Sequence, residues 1–321
     1  MRVAILALEG VWDTGLAVVI DAFGAANGLS DRLMGGTPRF DVSVVGVRRR
    51  VRSGRGMRIP VQPITPDLRP DWVIVPGLNT IVPGLLLQAL ARPDTLKATA
   101  QLLQWRQVGA QLAAACIGTF FLAEAGLLDH QEATTNWSLA PLFRQRYPKV
   151  RLNESRMVVA ADRIVTAGAA IGHLDLALWL IRQASPELSN TVSRYLVADL
   201  RSTQAAYIIP NHLAQADPLM MRFERWAREH LKEGFSLEAA AAALSTSART
   251  LQRRCGEILG KSPLAYFQDL RVEHAQSLLR ASGLDIDAIA AEVGYVDGAT
   301  LRTLLRERLG RGVRELRAEL R

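Results

Sequence analysis

Cysteine is scarce: 321 residues hold only Cys116 and Cys255. The two fall in segments of different character, with no CxxC and no Cys/His spacing, which excludes a disulfide framework and a zinc site. No metal and no cofactor is expected. Long apolar runs are missing too. MRVAILAL meets Glu9 after a short stretch, and no run of about eighteen apolar residues follows. Neither a signal peptide nor a membrane span is therefore expected, and the protein is assigned to the cytoplasm. What is present, 49% hydrophobic and 22% charged residues, is the make-up of a soluble globular chain long enough for two domains.

The formal charge of +8 suggests a nucleic-acid partner, because a basic surface gains affinity by displacing counterions from phosphate. Its distribution tempers that reading. From Asp217 onward there are 17 Lys and Arg against 15 Asp and Glu, and the preceding residues hold 22 against 16. Much of the early excess is Arg48, Arg49, Arg50, Arg52, Arg55 and Arg58, alternating with Val47, Val51, Met57 and Ile59. That alternation predicts an exposed hairpin, read as a solvated edge in preference to a phosphate contact.

Short apolar runs alternate with helical patterns through the first two hundred residues: RVAILAL, then 13–27; FDVSVVGV; DWVIVPG, then 81–105; AQLAAAC, then 118–128; RIVTAG, then 172–183. The alternation predicts an α/β fold, a flavodoxin-like parallel sheet sandwiched by helices. Ligands in such sheets lie at the carboxyl ends of strands, where Gly77, Cys116 and Gly168 fall. Cys116 closes a strand and Gly118 opens a helix, the strand-turn-helix geometry of a nucleophile elbow. A helix start can lower a thiol pKa, but a nucleophile also needs a base and an oxyanion site.

The stretch 201–217 mixes polar residues with Pro210 and is read as a linker. Beyond it, over 218–321, an all-α domain is expected, and it contains a repeat of about fifty residues. LEAAAAALSTSARTLQRRCGEILGKSPLAYF, from Leu237, aligns with IDAIAAEVGYVDGATLRTLLRERLGRGVRELR, from Ile286, with one extra residue in the second turn. Each copy reads as helix, tight turn, helix. Asp285 caps a first helix, and Gly260 and Gly310 end the second helices. Leu251, Cys255, Ile258 and Leu259 share an inward face in the first copy, and Leu301, Leu304, Leu305 and Leu309 in the second. Ser247, Arg249, Gln252 and Arg253, then Ala299, Arg302, Thr303 and Arg306, are left outside. This is the division a helix-turn-helix needs, with Arg able to bond guanine and Gln adenine in the major groove of double-stranded DNA. The first motif, with more readers, is expected to supply most of the discrimination. Two such helices on one chain imply a direct repeat, with faces about 34 Å apart. A helical packing module with solvated arginines is the bland alternative.

Two resemblances add to this. VPG at 75–77, AAACIG at 113–118, LAEAGLLD at 122–129, ATTNW at 133–137 and GHLDLALWLI at 172–181 resemble the PfpI-type domain of the class I glutamine amidotransferase-like superfamily, over about residues 1–200. Hydrolases, glyoxalases and chaperones of that superfamily pair the elbow cysteine with a histidine and an acid. Here Ile117 follows the cysteine where protease-like members carry His, Asn136 stands where His is usual, and Gly15 stands at the position of the acid. His130 and His173 are the conceivable bases. Cys116 is read as a pocket lining or an oxidisable thiol, in a candidate ligand pocket of Glu9, Asp13, Gly77, Cys116, Ile117 and Asn136.

FSLEAAAAALSTSARTLQRRCGEILGKSPLAYFQDLRVEHAQSLL and IDAIAAEVGYVDGATLRTLLRERLG resemble the AraC/XylS family DNA-binding domain. Gly310 is followed by Arg311, Gly312 and Val313 instead of the family's Ser-Pro, and the aromatic common near Leu301 is absent, which predicts a second unit that packs more loosely or binds more weakly. Together the resemblances imply a sequence-specific transcription regulator, often an activator. Its first domain would form a homodimer and sense a small nitrogenous metabolite without catalysis. A cysteine-dependent hydrolase or deglycase tethered to DNA, and a first domain that only dimerises, are the alternatives.

Overall fold

The computed structural model describes residues 1–199, 201–310 and 312–318. Leu200 and residues 319–321, inside the expected domain ranges, and Arg311 lie outside the described residues. The chain divides into two compact units, one of Met1–Leu139 with Arg146–Gln204, the other of Ala140–Gln145 with Ala205–Arg321.

The first unit runs β1 (Arg2–Leu6), α1 (Asp13–Leu33), β2 (Asp41–Gly46), β3 (Arg50–Arg52), β4 (Arg58–Pro60), β5 (Gln62–Pro63), β6 (Trp72–Val75), α2 (Pro83–Leu90), α3 (Pro93–Gln107), β7 (Gln111–Ala115) and α4 (Gly118–Glu124). It continues with β8 (Glu132–Ala133), then α5 (Ala140–Arg146), most of which groups with the second unit, and β9 (Arg151–Leu152), β10 (Val158–Ala161), β11 (Ile164–Ala167), α6 (Gly172–Ala184) and α7 (Pro186–Tyr195). Seven strands form one sheet in the order β10-β11-β7-β6-β1-β2-β5. All its pairings are parallel except β10 with β11. The central strands are buried along nearly their whole length because helices cover both faces, which is why they read as continuous apolar runs.

The expected helix over 81–105 is two helices. Pro93 has no N–H to continue α2 and instead opens α3 at a first-turn position, where none is needed. Strand β10 escapes sequence reading because its turn, Asp162 and Arg163 with φ of 42° and 61°, makes a tight hairpin without glycine. The arginine-rich stretch is the antiparallel hairpin β3/β4. All six of its arginines are exposed, and Arg48 reaches Asp94 at 3.2 Å.

The second unit continues with α8 (Pro210–Ala214), α9 (Pro218–Glu229), α10 (Leu237–Ala243), α11 (Ala248–Arg254) extended by a π turn at Cys255–Leu259, α12 (Pro263–Ala281), α13 (Ile286–Glu292), α14 (Gly298–Leu309) and α15 (Val313–Ala318). Residues 201–217 are thus folded, not an irregular linker: they pair at Arg156–Thr203, bury Gln204 and form α8. Among the described residues no helix is long and apolar enough to cross a membrane.

Candidate functional site

The elbow is built as the strand-cysteine-helix pattern requires. Cys116 takes a left-handed φ of 57° between β7 and α4. Its N–H donates to the Ala167 carbonyl at 2.8 Å, and its carbonyl accepts the Thr135 hydroxyl at 2.8 Å. Such a turn aims a side chain away from the sheet, yet the residue is only 5% exposed. Burial pushes the thiol up to about 11, against the lowering pull of the Ile117 N–H and the Asn136 side chain. The expectation that a helix start lowers this pKa is therefore corrected: removal from water outweighs the local donors.

Four of the six expected pocket residues come together. The Ile117 N–H and the Asn136 side chain are near enough to the sulfur to lower its pKa, and Gly77 lies so close that a Cβ on it would stand 3.2 Å from that of Cys116. Glu9 and Asp13 turn elsewhere. Glu9 accepts the Arg52 N–H at 3.1 Å, while Asp13 takes the Arg55 N–H at 3.1 Å and the Ser53 hydroxyl. Both carboxylates thus fasten the arginine hairpin.

His173 supplies what the sequence concealed. Fully buried at the start of α6, it accepts the Gly77 N–H on Nε2 at 3.0 Å and lies 2.7 Å through Nδ1 from the Ala170 carbonyl, so Nδ1 carries the proton. Burial drives its pKa down to about 4, against the raising effect of Ala170. Neither nitrogen is left to take a proton from Cys116. Gly15 is explained by the same ring: a Cβ there would stand 2.7 Å from Nε2 and 2.7 Å from the Trp12 ring. The site of the missing acid is filled by His173 and Trp12. His130, the other conceivable base, is exposed on a turn whose N–H bonds Lys149.

In the second unit the two repeats match device for device. Ser236 and Asp285 cap the first helices, Ser247 and Asp297 the second, each side-chain oxygen accepting an N–H three residues on. Gly260 and Gly310, both at φ 68°, end the extended α11 and α14 respectively, in the left-handed conformation that suits glycine. Leu251, Cys255, Ile258 and Leu259 are buried, as are Leu301, Leu305 and Leu309, with Leu304 partly so. The expected loose packing of the second copy is not seen, because Leu316 of α15 and Val272, Ala275 and Leu279 of α12 close its core. Ser247, Arg249, Gln252, Arg253, Ala299, Arg302, Thr303 and Arg306 are all exposed. Among them Arg253 is held back by an ion pair, bonding Glu257 at 2.6 Å.

Residues 1–183 match the DJ-1/PfpI family. The chain belongs to that family. Its DJ-1/PfpI domain is followed by a match to the helix-turn-helix domain of AraC type at 240–319. Similar proteins carry both parts. The HTH-type transcriptional regulator GbdR of Pseudomonas aeruginosa is 26% identical over 96% of this chain and 82% of its own length. The regulator ArgR of the same organism is 28% identical over 68% and 67%. The HTH-type transcriptional activator RhaS of Escherichia fergusonii is 36% identical over 29% of this chain and 33% of its own. A solved AraC family transcriptional regulator from Pseudomonas putida shares the fold, with a TM-score of 0.50, 22% identity, and coverage of 61% of this chain and 98% of that one. The protein is a DNA-binding transcription regulator of the AraC family with a DJ-1/PfpI domain.

Within the DJ-1/PfpI domain the thiol's high pKa gives a direct prediction. Cys116 is neutral at ordinary pH and gains thiolate only as pH rises toward about 11. Alkylation at pH 8 should run about a hundredfold slower than for a free cysteine. Quenched iodoacetamide labelling followed by peptide mass spectrometry reads this, and labelling as fast as glutathione would refute it.

Proposed function

We propose that the outer faces of α11 and α14 read base edges in the major groove, with Arg249 and Gln252 of the first motif carrying most of the discrimination. The observation behind this is that both side chains are exposed on a capped, well-seated helix and that, among the described residues, Arg249 makes no ion pair, unlike Arg253. Ser247, Ala299, Arg302, Thr303 and Arg306 complete the two surfaces. Selection of binding sites by the full-length protein tests it. Arg249→Ala should weaken the selected site by about 2 kcal/mol and relax one base pair. If Arg302→Ala relaxed the preference more, the first motif would not be the principal reader.

The DJ-1/PfpI domain, on this reading, is a non-catalytic sensor of a small nitrogenous metabolite. The elbow's neutral thiol and the fully engaged His173 support the absence of catalysis. Turnover lost on Cys116→Ala would contradict it. A thermal-shift screen of amino acids, amines and betaines tests sensing, since a ligand of the folded state raises Tm. Homodimerisation through this domain is supported by exposed Ile81, Val82, Leu85, Leu87, Leu96 and Leu103 on and beside α2 and α3, and monomeric sedimentation would count against it. Activation is supported by the similarity to a named activator; a reporter silenced by the protein would reverse the sign.

A further inference from the structure

The segment that leaves the first unit ends inside it. Arg201 pairs with buried Asp175 of α6 and also donates its N–H to that carboxylate at 3.0 Å. Met157 donates its N–H to the Ser202 carbonyl at 3.2 Å, and Gln204 its own to the Ser155 carbonyl at 2.8 Å. The Gln204 side chain then passes to the carboxyl edge of the sheet and is 0% exposed. Its Nε2 donates to Thr134 Oγ1 at 3.1 Å, the Thr135 carbonyl at 3.1 Å and the Arg156 carbonyl at 3.2 Å. Two amide protons thus serve three converging acceptors, and the facing carbonyls fix which end of the amide is nitrogen. Its Oε1 is buried and has no donor among the described residues.

The floor of this cradle is Gly168, at the end of β11, where any Cβ would overlap the Gln204 carboxamide. The cradle adjoins the elbow, since Thr135 donates its hydroxyl to the Cys116 carbonyl while its own carbonyl accepts from Gln204 Nε2. Acceptors in excess, a side-chain-free floor and an occupant bonded at one end only describe a receptor for a nitrogen bearing N–H groups. The unmatched Oε1 makes its present occupant an incomplete fit.

We propose that Thr134 Oγ1, the Thr135 and Arg156 carbonyls and Gly168 form a binding site for a small molecule with a primary amide or ammonium group, and that Gln204 is its internal occupant. Such a molecule and Gln204 exclude one another, so its entry frees residues 201–204, from which the chain enters the second unit at Ala205. The inference rests on the sensing reading above and gives it a site and a mechanical consequence.

Chemical rescue in the full-length protein tests it. Gln204→Ala vacates the cradle, and either propionamide or ethylammonium chloride should raise its Tm by about 3 °C, one arm identifying an amide site and the other an ammonium site. Wild type should not respond at the same concentration, and tetramethylammonium chloride, which has no N–H, should act on neither. Gln204→Leu fills the space without donating, and amide exchange at 201–204 should quicken about tenfold. No rescue by either N–H probe, equal rescue of wild type, or unchanged exchange in Gln204→Leu overturns the proposal. If Gln204→Ala fails to fold, the exchange of Gln204→Leu decides alone. Rescue without any wild-type ligand in the metabolite screen would keep the latch and remove sensing. A ligand stabilising Gln204→Leu as much as wild type would keep sensing and remove the cradle.

Discussion

Arg271→Met is expected to cost the second unit about 3 kcal/mol, the sum of lost charge-assisted hydrogen bonds and ring contacts. Arg271 lies on α12, buried, with Nε and Nη2 donating to the Leu231 carbonyl at 3.0 and 2.6 Å. Its guanidinium stands 4.9 Å from the Phe267 ring and 4.8 Å from the Tyr295 ring. Phe267 shares α12 with it, Tyr295 belongs to the turn of the second motif, and Leu231 follows α9, so one side chain joins three segments. Met keeps much of the stem's packing but leaves a buried carbonyl without its donors. Lys should recover little, since it lacks the planar fork. Urea titration followed by amide exchange across 218–310 reads the loss, and a midpoint within error of wild type would show the guanidinium to be dispensable. Asp269, also on α12, bonds Lys261 at 2.7 Å and Arg308 at 2.9 Å. Helix α12 is thus the spine that sets α11 against α14, and Arg271→Met should also weaken DNA binding without touching a reading residue.

Acidification should destabilise the first unit through His173 by about 3 kcal/mol between neutrality and pH about 4. Burial holds the folded imidazole at about 4, whereas the ordinary value is 6.5. Below 6.5 the unfolded chain takes up a proton that the folded one refuses, so stability falls as pH falls and levels off below about 4. The structural cause is specific. Protonated Nε2 would confront the Gly77 N–H with a second donor, while the Gly77 carbonyl is bonded to the Trp12 N–H at 2.8 Å. Denaturant midpoints from pH 7 to 4 measure the slope, and carboxylates contribute to it equally in wild type and His173→Gln. The variant should therefore show the shallower curve; parallel curves would mean that His173 carries none of the dependence.

Much of this was legible from spacing alone. The alternation of apolar runs with helical periods gave the α/β sheet, and the self-similarity of 237–267 with 286–317 gave both helix-turn-helix motifs, because local caps and turns encode them. The elbow was legible at Cys116 and Gly118 for the same reason. What stayed hidden depended on partners far apart in sequence. Gly15 looked like a lost acid until His173, 158 positions on, was seen to fill its space. Asp13 and Glu9 looked like pocket acids, though their ligands are backbone N–H groups of a hairpin. Pro93 carries a local signal for the break between α2 and α3, since it lacks the N–H to continue α2. Gln204 had no local signal: a polar residue among polar neighbours reads as linker, and only Gly168, packed beneath it, marks its position.

That pairing bears on how the two modules could have been joined. A side chain at 168 evicts the carboxamide at 204, and a chain broken at the apparent boundary near 200 leaves the first module with an unfilled hollow. The seam between the DJ-1/PfpI domain and the helix-turn-helix domain therefore lies beyond Gln204, four residues past the apparent boundary. A recombination event that exchanged helix-turn-helix domains would give an intact DJ-1/PfpI domain only if the crossover fell beyond Gln204, so Gly168 and Gln204 should be inherited together.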